Sequence, residues 1–267
     1  MNFSTKVVVV TGAGSGMGAA IAENFAKLNA SLCLIEINES NLRKVSEECE
    51  KLSKTKVLQV VADLGKDEDV KRSIDSALKE FGKIDVLVNC AGIHGTGRVT
   101  DPDIVEKYDR VLAVNLRSVV AMTNKAAPAL IKSKGCVINI SSIASRLPSQ
   151  NTLPYNLSKA GVTHFTKCAA LELAKDGVRV NCISPGPVKT NLLRNTDMTE
   201  SEHDQFWHVI GQATPLKRVV KAEEIAELTA FLASDKANSI TGSDYVMDSG
   251  LMIGGSADAP AISSKAK

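Results

Sequence analysis

Tyr155 and Lys159 stand four apart in the stretch Tyr155-Asn156-Leu157-Ser158-Lys159, so a helix through this segment projects both from one face. A free tyrosine ionises near pH ~10, and an ammonium beside a phenol favours the phenolate. A phenol held in this way trades a proton with an alcohol or a carbonyl at neutral pH. The same spacing also occurs on ordinary solvated helix faces. The pair therefore takes its meaning from what the rest of the chain sets around it.

A second candidate lies near the N-terminus, where Thr11-Gly12-Ala13-Gly14-Ser15-Gly16-Met17-Gly18 follows directly on Val7–Val10. Glycine lets the chain turn sharply and lets backbone N–H groups approach a pyrophosphate at the positive end of a helix. Gly12, Ser15, Gly16, Met17 and Gly18 are thus expected to cradle a dinucleotide. A glycine run alone reads equally as a tight turn; an apolar strand before it and an amphipathic helix after it favour the nucleotide. Glu36 ends the next apolar run, 24 residues after Gly12, where such folds place an acid on the ribose hydroxyls. A carboxylate repels a 2′-phosphate, and neither Ser15 nor Ile37 supplies a positive charge. NAD is therefore expected ahead of NADP. Asp63 follows the third apolar run, placed to accept from the adenine amino group with Leu64 along the ring; it serves equally as a helix N-cap.

The elements that must position these residues are legible as an alternation. Short apolar runs at Val7–Val10, Leu32–Ile37, Val57–Ala62, Ile84–Val88, Val137–Ile140, Val178–Ile183 and Tyr245–Met247 read as strands. Between them, apolar residues recur at helical spacing: Met17, Ile21, Phe25 and Leu28, then Leu42, Val45, Cys49 and Leu52, then Val70, Ile74, Leu78 and Phe81. Long helices are expected from about Ile104 to Lys132 and from Asn156 to Lys175, and a further one through Ile225, Leu228 and Leu232. Continuous rather than alternating apolar strands mean that both sheet faces are covered. The expected fold is a single-domain α/β Rossmann-type doubly wound parallel sheet of about seven strands, with helices on both faces. It should span residues 1–254, with a flexible tail over 255–267 rich in Ala, Ser and Lys.

Composition narrows the class. With 44% hydrophobic and 23% charged residues in 267, the chain can bury a real core. A net charge of +2 points away from nucleic acid and from a polybasic membrane surface. The apolar run after Met1-Asn2-Phe3-Ser4-Thr5-Lys6 is too short for a signal-peptide core or a membrane span. The six cysteines are scattered, without C-x-x-C or metal-ligand spacing, and read as reduced core residues of a cytoplasmic protein. No metal is expected.

Taken together, the motifs resemble those of the short-chain dehydrogenase/reductase family from about Lys6 to Gly254. Thr11, Gly12, Gly16 and Gly18 match its glycine motif. Asn89-Cys90-Ala91-Gly92 is similar to its Asn-Asn-Ala-Gly, with Cys90 in place of the second asparagine. Val114-Asn115-Leu116 resembles its internal-helix motif. Ile140-Ser141-Ser142 resembles its strand-end serine motif, 13 residues before Tyr155 when counted from Ser142. Pro185-Gly186-Pro187-Val188-Lys189-Thr190 resembles its Pro-Gly segment, and Asp248-Ser249-Gly250 departs slightly from its Asp-Gly-Gly. The branch most similar is that of the 3-oxoacyl-[acyl-carrier-protein] reductases.

The resemblance implies roles. Tyr155 is the expected general acid/base, Ser142 a donor to the substrate oxygen, and Lys159 the cation that supports Tyr155 and lies with it against the nicotinamide ribose. Asn115 is expected to hold a water linking Lys159 to solvent and to patch a kinked helix. Asn89, Ala91 and Gly92 would pass along the adenosine ribose through backbone atoms; Pro185 and Gly186 would lie at the nicotinamide, and Val188 and Thr190 would meet the carboxamide and pyrophosphate. Residues 191–215 are the expected lid, with Leu192, Leu193, Met198, Phe206, Trp207 and Val209 either greeting an apolar substrate or packing the lid down. His94, Leu147, Gln150, Pro187 and Trp207 are candidate substrate contacts, and Arg146, Lys189 and Arg194 the basic groups a carrier protein would want. The expected reaction is reversible hydride transfer between NAD(H) and a secondary alcohol or ketone, with steroids, retinoids, sugars and short hydroxyacids all open as substrates. Alternatives are an NADPH-dependent 3-oxoacyl thioester or carbonyl reductase, and a non-catalytic dinucleotide-binding sensor or scaffold. A homotetramer is implied, with a dimer as the alternative.

Overall fold

The computed structural model describes residues 1–53, 55–189 and 199–254. Seven parallel strands join in one sheet in the order β3-β2-β1-β4-β5-β6-β7. They are β1 (Val7–Thr11), β2 (Ser31–Glu36), β3 (Val57–Val61), β4 (Val86–Asn89), β5 (Cys136–Ile140), β6 (Arg179–Pro185) and β7 (Asp244–Met247). The helices are α1 (Gly16–Lys27), α2 (Glu39–Leu52), α3 (Asp67–Phe81), α4 (Ile104–Leu112), α5 (Ser118–Ser133), α6 (Leu153–Leu173), α7 (Glu200–Gln212), α8 (Ala222–Ala233) and the short α9 (Leu251–Gly254). Strand order reverses between β1 and β4, and open α/β sheets bind ligands at such a switch point, beyond the carboxyl ends of the strands.

The pleat sends successive side chains to opposite faces, which accounts for the two cores. Val8, Val10, Leu34, Val88 and Ile138 pack under Ile21, Phe25, Ile225 and Leu232 on one face. Val9, Ile35, Leu87 and Val137 pack under Ile74, Met122 and Leu130 on the other. Local chemistry sets the helix ends. Asn38 Oδ1 accepts from Asn41 N at 3.0 Å to cap α2, α3 opens on Asp67, Glu68 and Asp69 and ends at Gly82 in the left-handed region (φ 73°), and Thr199 and Glu202 close a reciprocal capping box on α7.

Some sequence expectations shift. Ile37 is 63% exposed and lies outside β2. The helix expected to run unbroken from Ile104 to Lys132 is α4 and α5 joined by a π-helical turn, Ala113–Arg117; one residue is accommodated there by i→i+5 bonding, a device frequent at functional sites. The cysteines are all free, but not all core: Cys33, Cys49, Cys136 and Cys182 are buried, Cys90 is half-buried and Cys168 is exposed. Among the described residues no helix is long and apolar enough to cross a membrane, and no cluster of His, Cys, Asp and Glu could hold a metal. Thr190, the apolar lid residues Leu192, Leu193 and Met198, Arg194 and the tail 255–267 lie outside the described residues.

Candidate active site

The ends of β1 and β4 are joined by one hydroxyl. Thr11 Oγ1 donates to Val88 O (3.4 Å) and accepts from Cys90 N (3.0 Å) and Ala91 N (3.1 Å). The loop after β4 is thus supported from β1 with cysteine at position 90. Burial pushes the Cys90 thiol up to about 12, so it is neither a thiolate nor a nucleophile at neutral pH. Gly12 sits at φ +66°, and a Cβ there would lie 2.7 Å from Ala91 Cα. A Cβ on Gly18 would lie 2.0 Å from Gly12 O. Only glycine lets the loop fold this closely beneath α1. Ser15, the N-cap of α1, makes no side-chain capping bond, and no acid occupies the first turn. Its leading N–H groups are therefore left for an anion, and the residues present fit a dinucleotide pyrophosphate.

Glu36 closes this end. Its carboxylate accepts from Gly14 N (3.2 Å) and Asn38 N (3.1 Å), which fixes a negative charge at the rim of the glycine loop. Asp63 Oδ1 accepts from Gly65 N at 3.0 Å, and Asp63 N donates to Asp69 Oδ2 at 2.8 Å. The N-cap of α3 is Lys66, so the helix-cap alternative for Asp63 does not hold. Leu64 is buried against the core on the α3 side of the sheet. Asn89 donates through Nδ2 to Asn139 Oδ1 (2.9 Å) and Thr123 Oγ1 (3.3 Å), binding β4 to β5 and α5.

The reacting end is built on β5 and the first turns of α6. Lys159 is 5% exposed, and its Nζ donates to Ile140 O, the last carbonyl of β5, at 2.9 Å. Ser141 Oγ donates to Lys159 O at 2.9 Å, so strand end and helix are bound twice. The ammonium lies 5.7 Å from the centroid of the Tyr155 ring. Among the described residues no carboxylate pairs with it. Ser142 caps the short turn Ile143–Ser145, its Oγ accepting from Ala144 N at 3.1 Å, and that turn packs on α6. The Ser142 hydroxyl hydrogen and the Tyr155 hydroxyl have no protein hydrogen-bond partner among the described residues.

Asn115, fully buried, sits in the π turn and clamps the loop after β4. Its Oδ1 accepts from Ile93 N (2.8 Å), and its Nδ2 donates to Ile93 O (2.9 Å) and to Ser158 Oγ (3.1 Å). Ser158 Oγ in turn donates to Tyr155 O at 2.7 Å. A Cβ on Gly92 would lie 3.4 Å from Asn115 Oδ1 and 3.6 Å from Lys159 Nζ, so Gly92, Asn115 and Lys159 surround one point. Thr11, Ser141 and Ser158 lie inside or beside the motifs, but which groups their hydroxyls hold, and the part Ile140 O plays in anchoring Lys159, depend on partners that residue type does not show.

The remaining sequence candidates divide. The His94 ring is half-buried, its centroid 5.2 Å from that of Tyr155 with planes tilted by 35°, and burial holds its pKa below the usual imidazole value. Leu147 and Gln150 are exposed. Pro187 is half-buried beside Val188, which bridges to Val220. Gly186 N donates to Met247 O at 2.8 Å, and Pro185 ends β6 against Met247. Trp207 is 7% exposed and packs edge-on to Phe206 at 5.4 Å; it and Ile210 are buried, whereas Val209 is 39% exposed. Of the basic groups, Arg146 is tied to buried Asp244 at 2.7 Å and Lys189 to Asp204 at 2.5 Å.

The glycine loop beneath α1, together with Ser142, Tyr155 and Lys159 at the end of β5 and the start of α6, makes up the candidate site of a nicotinamide-dependent oxidoreductase. Comparison with known proteins gives the same class. The model of the family described as Enoyl-(Acyl carrier protein) reductase matches residues 12–252. The cyclohexanol dehydrogenase of Acinetobacter sp. (strain SE19) is 35% identical over 92% of this chain and 94% of its own. The meso-2,3-butanediol dehydrogenase of Serratia marcescens is 34% identical over 94% and 96%. A short-chain dehydrogenase/reductase of unknown function from Caenorhabditis elegans, solved with cofactor, superposes with a TM-score of 0.87 at 33% identity over 94% and 96%. The chain belongs to the short-chain dehydrogenase/reductase family.

Proposed function

We propose that the protein catalyses reversible hydride transfer between NAD(H) and a small secondary alcohol or ketone, with Tyr155 as general acid/base. The observation that carries this reading is the buried Lys159 ammonium, held on Ile140 O and facing the Tyr155 ring, with no carboxylate partner among the described residues. A buried charge without a counter-ion is costly, and the phenol is the neighbouring group able to carry negative charge. The nicotinamide, when bound, supplies the hydride acceptor or donor at C4. In oxidation Tyr155 takes the hydroxyl proton of the substrate, and in reduction it returns one to the developing alkoxide. Ser142 spends its lone pair on Ala144 N and its hydrogen on the substrate oxygen, stabilising that alkoxide by ~3 kcal/mol as one preorganised donor. Asn115 holds the Ile93 loop and, through Ser158, the backbone of Tyr155.

The fixed carboxylate of Glu36 at the glycine loop supports NAD over NADP, because a 2′-phosphate would meet like charge there. Relatives that act on cyclohexanol and on 2,3-butanediol support a secondary alcohol. The carrier-protein alternative draws on the description of the matching family, but Arg146 and Lys189 are already engaged by Asp244 and Asp204. A second copy of the chain is the proposed partner. Val105, Val120, Leu157 and Leu171 are exposed on α4, α5 and α6, and Tyr108, Leu112, Leu116 and Val120 line an apolar groove on α4, α5 and the π turn between them. Light scattering should give a tetramer, or a dimer; a monomer at micromolar concentration contradicts this. The decisive screen follows NADH absorbance over a panel of secondary alcohols and ketones with both cofactors. Turnover of several members with NAD preferred is expected, and none with either cofactor would refute the dehydrogenase reading.

A further inference from the structure

Of the candidate substrate residues, His94 has its ring packed beside that of Tyr155. Three restraints place it. Ile93 is hydrogen-bonded through both its N and its O to the Asn115 amide. Gly95 lies so close to α4 that a Cβ there would be 2.3 Å from Val111 Cγ2. Gly97 exchanges backbone hydrogen bonds with the start of α6, its N donating to Asn151 O (2.8 Å) and its O accepting from Leu153 N (3.2 Å). A loop bound at 93, 95 and 97 has little freedom to swing its histidine into solvent.

The ring so placed has its centroid 5.2 Å from that of Tyr155. Among the described residues neither imidazole nitrogen has a protein hydrogen-bond partner. Burial disfavours the charged form, and a neutral imidazole offers one donor and one acceptor. That pair of functions complements a hydroxyl group, which also donates and accepts. Two gauche oxygens on adjacent carbons stand about as far apart as a hydrogen-bonded pair. A substrate whose first oxygen meets Tyr155 can therefore bring its neighbouring oxygen within reach of the adjacent ring.

We propose that His94 is a specificity-determining residue that hydrogen-bonds a second hydroxyl or carbonyl oxygen on the carbon next to the reacting one, so that the substrate class is the vicinal diol and its α-hydroxyketone product. The inference rests on the dehydrogenase reading above. The reaction balances within it: the carbinol C–H bond breaks and its hydride goes to the nicotinamide, the O–H proton goes to Tyr155, C–O becomes C=O, and the second oxygen is unchanged.

The test compares matched pairs, 2,3-butanediol with 2-butanol and trans-1,2-cyclohexanediol with cyclohexanol, as ratios of kcat/KM. A site that hydrogen-bonds a substrate hydroxyl discriminates strongly against analogues lacking it, and for one partly solvated contact we expect the wild type to favour each diol about tenfold or more. His94→Phe, which keeps a flat ring beside Tyr155, should bring the ratio near one, while His94→Gln should keep most of it. A wild-type ratio near one, or an unchanged ratio in His94→Phe, overturns the proposal. A second readout is independent of turnover. In the complex with NADH, which cannot oxidise an alcohol, the His94 imidazole nitrogen resonances should shift with the diol and not with the monohydric alcohol. They are assigned among the four histidines by their loss in His94→Gln. Equal shifts, or none, overturn the proposal. If none of the four alcohols turns over with either cofactor, the dehydrogenase reading itself fails, an outcome distinct from a ratio of one.

Discussion

Replacing Asn115 by alanine tests the framework beneath the site. The amide makes three hydrogen bonds, two to the backbone of Ile93 and one to Ser158 Oγ. Ser158 keeps a partner in Tyr155 O, so its loss is small. Ile93 is half-buried, so water can reach one of its two freed groups while the other stays unsatisfied at about 1–3 kcal/mol. The space left by the buried amide adds about 1 kcal/mol. The expected loss is ~3 kcal/mol, and a chain of this size loses ~2–4 °C of Tm per kcal/mol, which gives a fall of roughly 6–12 °C. Trp207, the single tryptophan and a buried one, reports unfolding by fluorescence. Far-UV circular dichroism should follow the same transition, at one protein concentration because association shifts Tm. kcat/KM should fall too, since the loop bearing His94 and Gly92 loses its clamp. A Tm within 2 °C of the wild type would refute the claim that this amide supports the loop.

Two further outcomes follow from the charges of Glu36 and Glu224. Glu36→Ala removes the carboxylate at the glycine loop and should raise the NADP/NAD ratio of kcat/KM about tenfold or more, ~1.4 kcal/mol; an unchanged ratio would show that Glu36 does not read the ribose. Glu224 accepts from Arg218 at 2.7 and 2.8 Å and from Lys221 N at 2.9 Å, contacts that lower its pKa to about 2. A depressed carboxylate pKa stabilises the fold above the unfolded value of 4.5, and that contribution is lost as pH falls from there toward 2. Glu224→Gln should thus be less stable than the wild type at pH 7, by under about 1 kcal/mol for so exposed a pair, with the gap narrowing as pH drops from 5 to 3. A gap that widens on acidification would contradict the assignment.

The sheet was legible because strands buried on both faces are written as unbroken apolar runs. Val7–Val10 and Val137–Ile140 needed no tertiary information to be placed. The glycine loop and the Tyr155–Lys159 spacing were legible for the same reason, since local geometry alone demands those residue types. What could not be read depends on partners far along the chain. Arg146 looked like a free cation at the mouth, yet Asp244 holds it from the first residue of β7. The π turn was hidden because an extra residue in one turn leaves the apolar stripe of α4 and α5 nearly intact. Its trace was a lone amide, Asn115, inside an apolar helix. Lys159 was expected beside Tyr155, but its anchor is a backbone carbonyl, Ile140 O, and every residue has one. The exposure of Leu147 and the burial of Trp207 likewise follow from how loops and α7 pack, which periodicity does not encode.

The most direct measurement of the central claim is single-turnover hydride transfer by Tyr155→Phe, with an alcohol that the wild type oxidises with NAD. The variant keeps the ring against His94 and Lys159 and loses only the proton-transferring oxygen. A fall of about 10²–10⁴ in the rate of the chemical step, the span of general acid/base catalysis, is the predicted result, with Tm little changed. A rate within threefold of the wild type would contradict the role assigned to Tyr155.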